Sequence, residues 1–166
     1  MKINAVALFA LGIGALAVTA PIAIAGHGAH VQAAQSLDNA SLKTVLEGMG
    51  YEPKALSKGY LIAIKRDDWT YNMQLVLSSD SSKLGINANL GKVDKPEEVA
   101  ADSWFKLLVA NGDIDPSFFY FDKSQGKLYM HRVLDNREIT AAFLREQIDG
   151  FCGNIKSTAD AWKFTK

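Results

Sequence analysis

The sequence predicts an α+β fold: one antiparallel sheet of about five strands with flanking helices, in the order α-β-β-β-α-β-β-α. Three observations predict it. Residues Trp69 to Ser78 and Leu84 to Leu90 alternate apolar and polar side chains with period two, the pattern of strands with one buried and one wet face. The joins between the apolar segments are only a few residues long, which calls for antiparallel hairpins. Residues 39–49, 94–111 and 135–162 carry apolar positions at helical spacing, bounded by glycine or by acidic capping patterns.

The first helix follows from Leu42, Val45, Leu46 and Met49, with Gly50 as its cap and Pro53 preventing a restart. Tyr60 to Arg66 reads as a strand around Ile62 and Ile64. In the next strand Trp69, Tyr71, Met73, Leu75 and Leu77 share one face. Thr70, Asn72, Gln74 and Ser78 share the other, with Val76 the exception. In the third, Leu84, Ile86, Ala88 and Leu90 oppose Gly85, Asn87 and Asn89. Asp67-Asp68 and residues 79–82 make the turns. Asp94-Lys95-Pro96-Glu97 predicts a helix start, and the helix runs to about Asn111. Its broad stripe of Ala101, Trp104, Phe105, Leu107, Leu108 and Val109 predicts a well-buried helix. Ser117 to Asp122 and Lys127 to Leu134 form a second hairpin, and the four aromatics Phe118 to Phe121 are expected mostly in the core. Their presence on both faces of one strand asks for a second cover, by a helix or a partner subunit. The acidic pattern at Asp135 to Glu138 opens the last helix, which contains Gly150 and Gly153 and extends toward Trp162.

The first residues, Met1-Lys2-Ile3-Asn4, carry one basic side chain and precede an uncharged, largely apolar run from Ala5 to Ala25 with a small-x-small ending at Ala23-Ile24-Ala25. This is the pattern of an export signal. The expected organisation is a signal peptide at 1–25, a flexible lead-in at 26–38 and one α+β domain at 39–166, exported to the periplasm or the extracellular space. A membrane is expected only if the signal stays uncleaved. The 18 basic and 18 acidic residues balance. That excludes an electrostatic case for nucleic acid, which demands clustered positive charge. The single cysteine, Cys152, rules out an internal disulfide.

No catalytic, cofactor or metal site emerges. His27 and His30 flank the expected new amino terminus without the closed ligand set a metal centre requires. His131 reads as a sheet-surface residue. Asp113 with Asp115 supply too few oxygens for a calcium loop, and Asp67 with Asp68 read as turn residues. Asn39-Ala40-Ser41 is a formal glycosylation sequon, relevant only in a eukaryotic source. The candidate partner-binding residues are the uncharged hydrogen-bonding groups of the wet strand face: Thr70, Asn72, Gln74, Asn87 and Asn89. Such a face takes a polypeptide or a glycan with little charge desolvation.

The element order, the run Leu107-Leu108-Val109-Ala110-Asn111 and the return strand Gly126-Lys127-Leu128-Tyr129 before a long amphipathic helix resemble the type III secretion chaperone-like superfamily, which includes the YbjN-like proteins. The resemblance spans about Leu42 to Phe164. The YbjN-like branch often carries asparagines around the central-helix tryptophan, whereas Trp104 is flanked here by Ser103 and Phe105. It implies an antiparallel sheet flanked by helices, frequent homodimers and protein binding without catalysis. The expected function is therefore an exported, non-enzymatic, homodimeric module that binds a polypeptide partner. The alternatives are a small exported hydrolase, in which His131, Cys152 or the loop aspartates would have to converge, and a self-associating structural protein of the envelope.

Overall fold

A computed structural model describes residues 36–165. The expectations for the export signal, for most of the lead-in and for His27 and His30 lie outside the described residues. In chain order the elements are α1 (Asn39–Gly48), β1 (Lys54–Ala55), β2 (Tyr60–Arg66), β3 (Trp69–Leu77), β4 (Lys83–Lys92), a 3-10 turn at Pro96–Glu98, α2 (Ala101–Asn111), β5 (Ser117–Asp122), β6 (Lys127–Asp135), α3 (Ala141–Ser157) and α4 (Ala159–Trp162). The strands form one antiparallel sheet in the order β1-β2-β3-β4-β6-β5. The sixth strand beyond the expected five is β1, two residues long and too short to show a period.

Alternation places the sheet's buried face as expected. Ile62, Ile64, Tyr71, Met73, Leu75, Leu84, Ile86 and Met130 point into one core with the apolar stripes of α1 and α3. Leu42, Val45 and Leu46 come from α1; Leu144, Ile148, Phe151, Cys152 and Ile155 come from α3. A bulge between Asn89 and Gly91 shifts the pairing of β4 with β6 by one residue. At the β1–β2 turn, Gly59 has φ +76° and a Cβ there would lie 2.0 Å from the Leu75 carbonyl oxygen, so the chain turns back only because this residue has no side chain.

The helix ends depart from the simple reading. Asp38 caps α1 in a reciprocal box with Ser41. Leu37 is buried, so packed structure begins before residue 39. Asn136, expected in a surface capping pattern, is instead fully buried. Its amide donates to the carbonyls of Leu37 and Ser81 at 2.7 Å each, and its Oδ1 accepts from the Leu37 N–H at 3.1 Å. Thr140 is the residue that caps α3. Asp94 to Glu97 starts only the 3-10 turn, because Val99 is extended, and α2 begins at Ala101. The last helix breaks at Thr158, whose backbone leaves the helical region.

Arg132 is a buried cation in this core. It donates to Ser117 Oγ and to the carbonyl and side chain of Gln147, and its guanidinium stands 5.8 Å from the Phe151 ring centroid. Gly150 leaves room for it, since a Cβ there would meet Nη1 at 3.3 Å. Gly153 has open space around it and answers no such need.

Candidate functional site

The helices α1 and α3 cover one face of the sheet and leave the other bare. All five residues singled out from the alternation lie on that bare face. Thr70, Asn72, Gln74 and Asn89 are exposed, and Asn87 is half-buried. Strand pairing organises them. Phe118 on β5 stands opposite His131 on β6, His131 opposite Asn87 on β4, and Asn87 opposite Gln74 on β3. A parallel row begins with Tyr120, opposite Tyr129, which stands opposite Asn89. Each row thus runs from aromatic rings to carboxamides.

The rings form one cluster. Tyr120 and Tyr129 stack at 5.1 Å with 11° between their planes. Phe118 and Tyr120 meet His131 edge-on at 5.2 and 6.0 Å. His131 Nδ1 and Asn87 Oδ1 are in hydrogen-bond contact, and a Cβ on Gly85 would reach the imidazole at 3.1 Å. Beside Gly85 the surface dips into a depression of about 260 Å³ bordered by Val76, Leu77, Asn87, His131 and Val133, with Ser78 and Lys83 at its rim. Phe118 and Tyr120 remain 41% and 38% exposed, so half of the aromatic strand lies outside the core, contrary to expectation. Phe119 is buried and Phe121 half-buried.

The centre of this face is uncharged. Burial raises the pKa of Tyr120 and Tyr129 and lowers that of His131, the last partly offset by a backbone hydrogen bond with Ile86. Charge appears at the margins, where Lys83 pairs with Asp135 at 3.1 Å, Asp122 stands opposite Lys127, and Lys65 on β2 stands opposite Thr70. The lowered pKa of His131 fixes a sign. The unfolded chain takes up this proton near pH 6.5 and the folded chain only below that, so stability falls as pH drops through 6.5 toward the folded value. His131→Gln is expected to flatten that part of the stability-pH curve, measured by urea unfolding at pH 5 to 8.

The groups needed for a hydrolase do not converge. His131 is on the bare face, whereas Cys152 is buried in α3 beneath the opposite face, where burial pushes its thiol up to about 11. Asp67 pairs with Lys156 at the β2–β3 turn, and Asp113 and Asp115 are exposed in the loop before β5. Among the described residues no three His, Cys, Asp or Glu side chains gather into a metal site.

A second surface feature corrects the reading of the central helix. Only Leu107 of α2 is buried, while Phe105, Leu108 and Val109 are 62%, 68% and 55% exposed. The helix is held at its other side, where Trp104 meets Phe121 at 5.5 Å and Phe164 at 5.3 Å. Phe105 and Val109 of this stripe border a groove of about 550 Å³ against the α3–α4 junction, rimmed by Asp102, Lys106, Asp113 and Asp160.

Comparison with solved structures agrees with the fold. One similar structure is a chain of the HopA1–SchA chaperone–effector complex, at TM-score 0.51 and 10% identity, covering 75% of this chain and 91% of that one. Another is YbjN of E. coli, described as a putative transcription regulator, at TM-score 0.56 and 13% identity, covering 74% and 88%. No family model matches the sequence, and no curated protein does. The chain shares the fold of these two structures.

Proposed function

We propose that this protein is an exported, non-enzymatic, chaperone-like binding module that holds a polypeptide segment against its bare sheet face and works as a homodimer through α2. The observation that carries the reading is the bare face itself: an uncharged surface with exposed aromatic anchors beside hydrogen-bonding carboxamides. Aromatic anchors supply large contact area at small entropic cost, and amides satisfy a partner's backbone without desolvating charge. The likeness to a chaperone–effector complex supports a polypeptide as the partner, and the apolar run at residues 5–25 supports export.

The sheet edges narrow the mode of binding. On β5 the Phe119 N–H donates to Asn111 Oδ1 at 2.7 Å and the Ser117 N–H to the Ile114 carbonyl at 2.7 Å, so the outer edge is already occupied there. The other edge is β1, two residues long, and beyond it the stretch 62–66 of β2, whose outer side no strand covers among the described residues. Strand addition at β5 therefore has little to pair with, and at the aromatic end of the sheet recognition across the face is favoured over recognition at the edge.

The outward stripe of α2 supports the dimer, because three large apolar side chains at helical spacing on one exposed helix match a self-complementary two-fold contact. Leu108→Asp is expected to convert the dimer to a monomer in sedimentation equilibrium. A wild-type protein that sediments as a monomer would overturn this part of the reading. The binding role is tested by affinity capture from the native extracellular or periplasmic fraction with the tagged protein and its Tyr120→Ala variant. A stoichiometric polypeptide partner lost in the variant is the expected result. Recovery of the protein alone, together with concentration-dependent mass growth beyond a dimer, would favour a self-associating envelope protein instead.

A further inference from the structure

The two rows on the bare face have a direction, aromatic on β5 and β6 and carboxamide on β4 and β3, with no ionic group in either. We propose that the segment held there is an uncharged, proline-containing stretch in the polyproline II conformation, lying across the strands along these rows. The inference rests on the protein-binding reading above and names the chemical class of its ligand.

Four features point to this occupant. Phe118 and Tyr120 offer exposed ring surface on the outermost strand, and a proline ring is a rigid apolar body that packs on such surface with little entropy to lose. A polyproline II segment makes no internal hydrogen bonds, so its carbonyls need external donors, and Gln74 and Asn89 present amide N–H groups at the far end of the rows. Proline brings no backbone N–H, so such a segment loses nothing by being unable to pair with the occupied edge of β5. Finally, the rows themselves give a charged side chain no partner, since Lys83, the cation bordering the depression, is already paired with Asp135.

The dimensions agree. Four strands at about 4.8 Å spacing are about 14 Å across, a distance covered by roughly five residues of polyproline II at about 3.1 Å each. The depression beside Gly85 lies along the first row and takes one apolar side chain of the segment.

The test is fluorescence anisotropy on the purified protein with two labelled, uncharged decapeptides: one with proline at every third position, the other with those prolines replaced by alanine. Binding of the proline peptide in the micromolar range is expected, weaker by about tenfold or more for the alanine peptide and for the Tyr120→Ala and Phe118→Ala variants. Glu98→Gln, in the remote 3-10 turn, is expected to match the wild type. Circular dichroism establishes that each variant is folded. Equal binding of the two peptides, or proline-peptide binding indifferent to both ring variants, overturns the proposal. So does Tyr120-dependent binding of a neutral N-acetylglucosamine hexamer with no peptide bound, which would make the face a glycan site. Failure of both peptides, with a captured protein partner still lost in Tyr120→Ala, removes the proline class and leaves the protein-binding reading intact.

Discussion

Asn136→Ala is expected to destabilise the protein by about 3 to 5 kcal/mol, the sum of three buried hydrogen bonds lost and their partners left unsatisfied. The side chain is wholly enclosed and ties together three chain segments: the residues before α1 through Leu37, the β3–β4 turn through Ser81, and the end of β6 through its own backbone. Truncation leaves the Leu37 N–H, the Leu37 carbonyl and the Ser81 carbonyl without that partner. Asn136→Asp is expected to be at least as damaging, because the carboxylate cannot donate to either carbonyl and would be buried without a cation. Urea unfolding followed by circular dichroism measures the loss, and hydrogen exchange locates it. The Leu37 amide is expected to lose its protection first. A change below about 1 kcal/mol would mean that the three segments hold together without this residue.

Phe151→Ala is expected to cost about 3 to 5 kcal/mol by a different mechanism, a cavity in the core. Phe151 is the largest of the wholly enclosed side chains, and its ring lies beneath the Arg132 guanidinium. The truncation removes apolar contacts with the sheet and also one wall of the space that holds a buried cation. Phe151→Leu separates the two effects. It keeps most of the apolar volume but removes the ring quadrupole, so it is expected to cost about 1 to 2 kcal/mol. If Arg132→Met erases the difference between the leucine variant and the wild type, the cation–ring contact is the source of that difference. If the difference persists, packing alone accounts for it.

What could be read from the residues divides along a physical line. Period-two alternation carries its own geometry, so the buried face of β3 and β4 and the polar half of the bare face were legible from Trp69 to Leu90 alone. The aromatic half of the site was not. Phe118, Tyr120, Tyr129 and His131 join Asn87 and Asn89 only because β6 pairs with β4 rather than with β5 alone, and such a long-range register leaves no local trace. A run of four aromatics likewise does not say which two face outward. The exposed stripe of α2 shows the same limit from the other side: apolar residues at helical spacing specify a sticky face, not what covers it. Asn136 was misplaced because a run of polar residues after a strand looks like helix capping, whereas burial of one of them is decided by the segment containing Leu37, ninety-nine residues away in sequence.

The occupied outer edge of β5 also sets a limit on assembly. A sheet grows indefinitely only where a free edge can recruit the next strand, and Asn111 reaches from α2 to fill that position. With the outward N–H groups of Ser117 and Phe119 already bonded, fusing sheets end to end through β5 into a continuous ribbon would first have to break these contacts. Strand pairing between copies is left to the opposite side of the sheet, where β1 covers only two residues of β2.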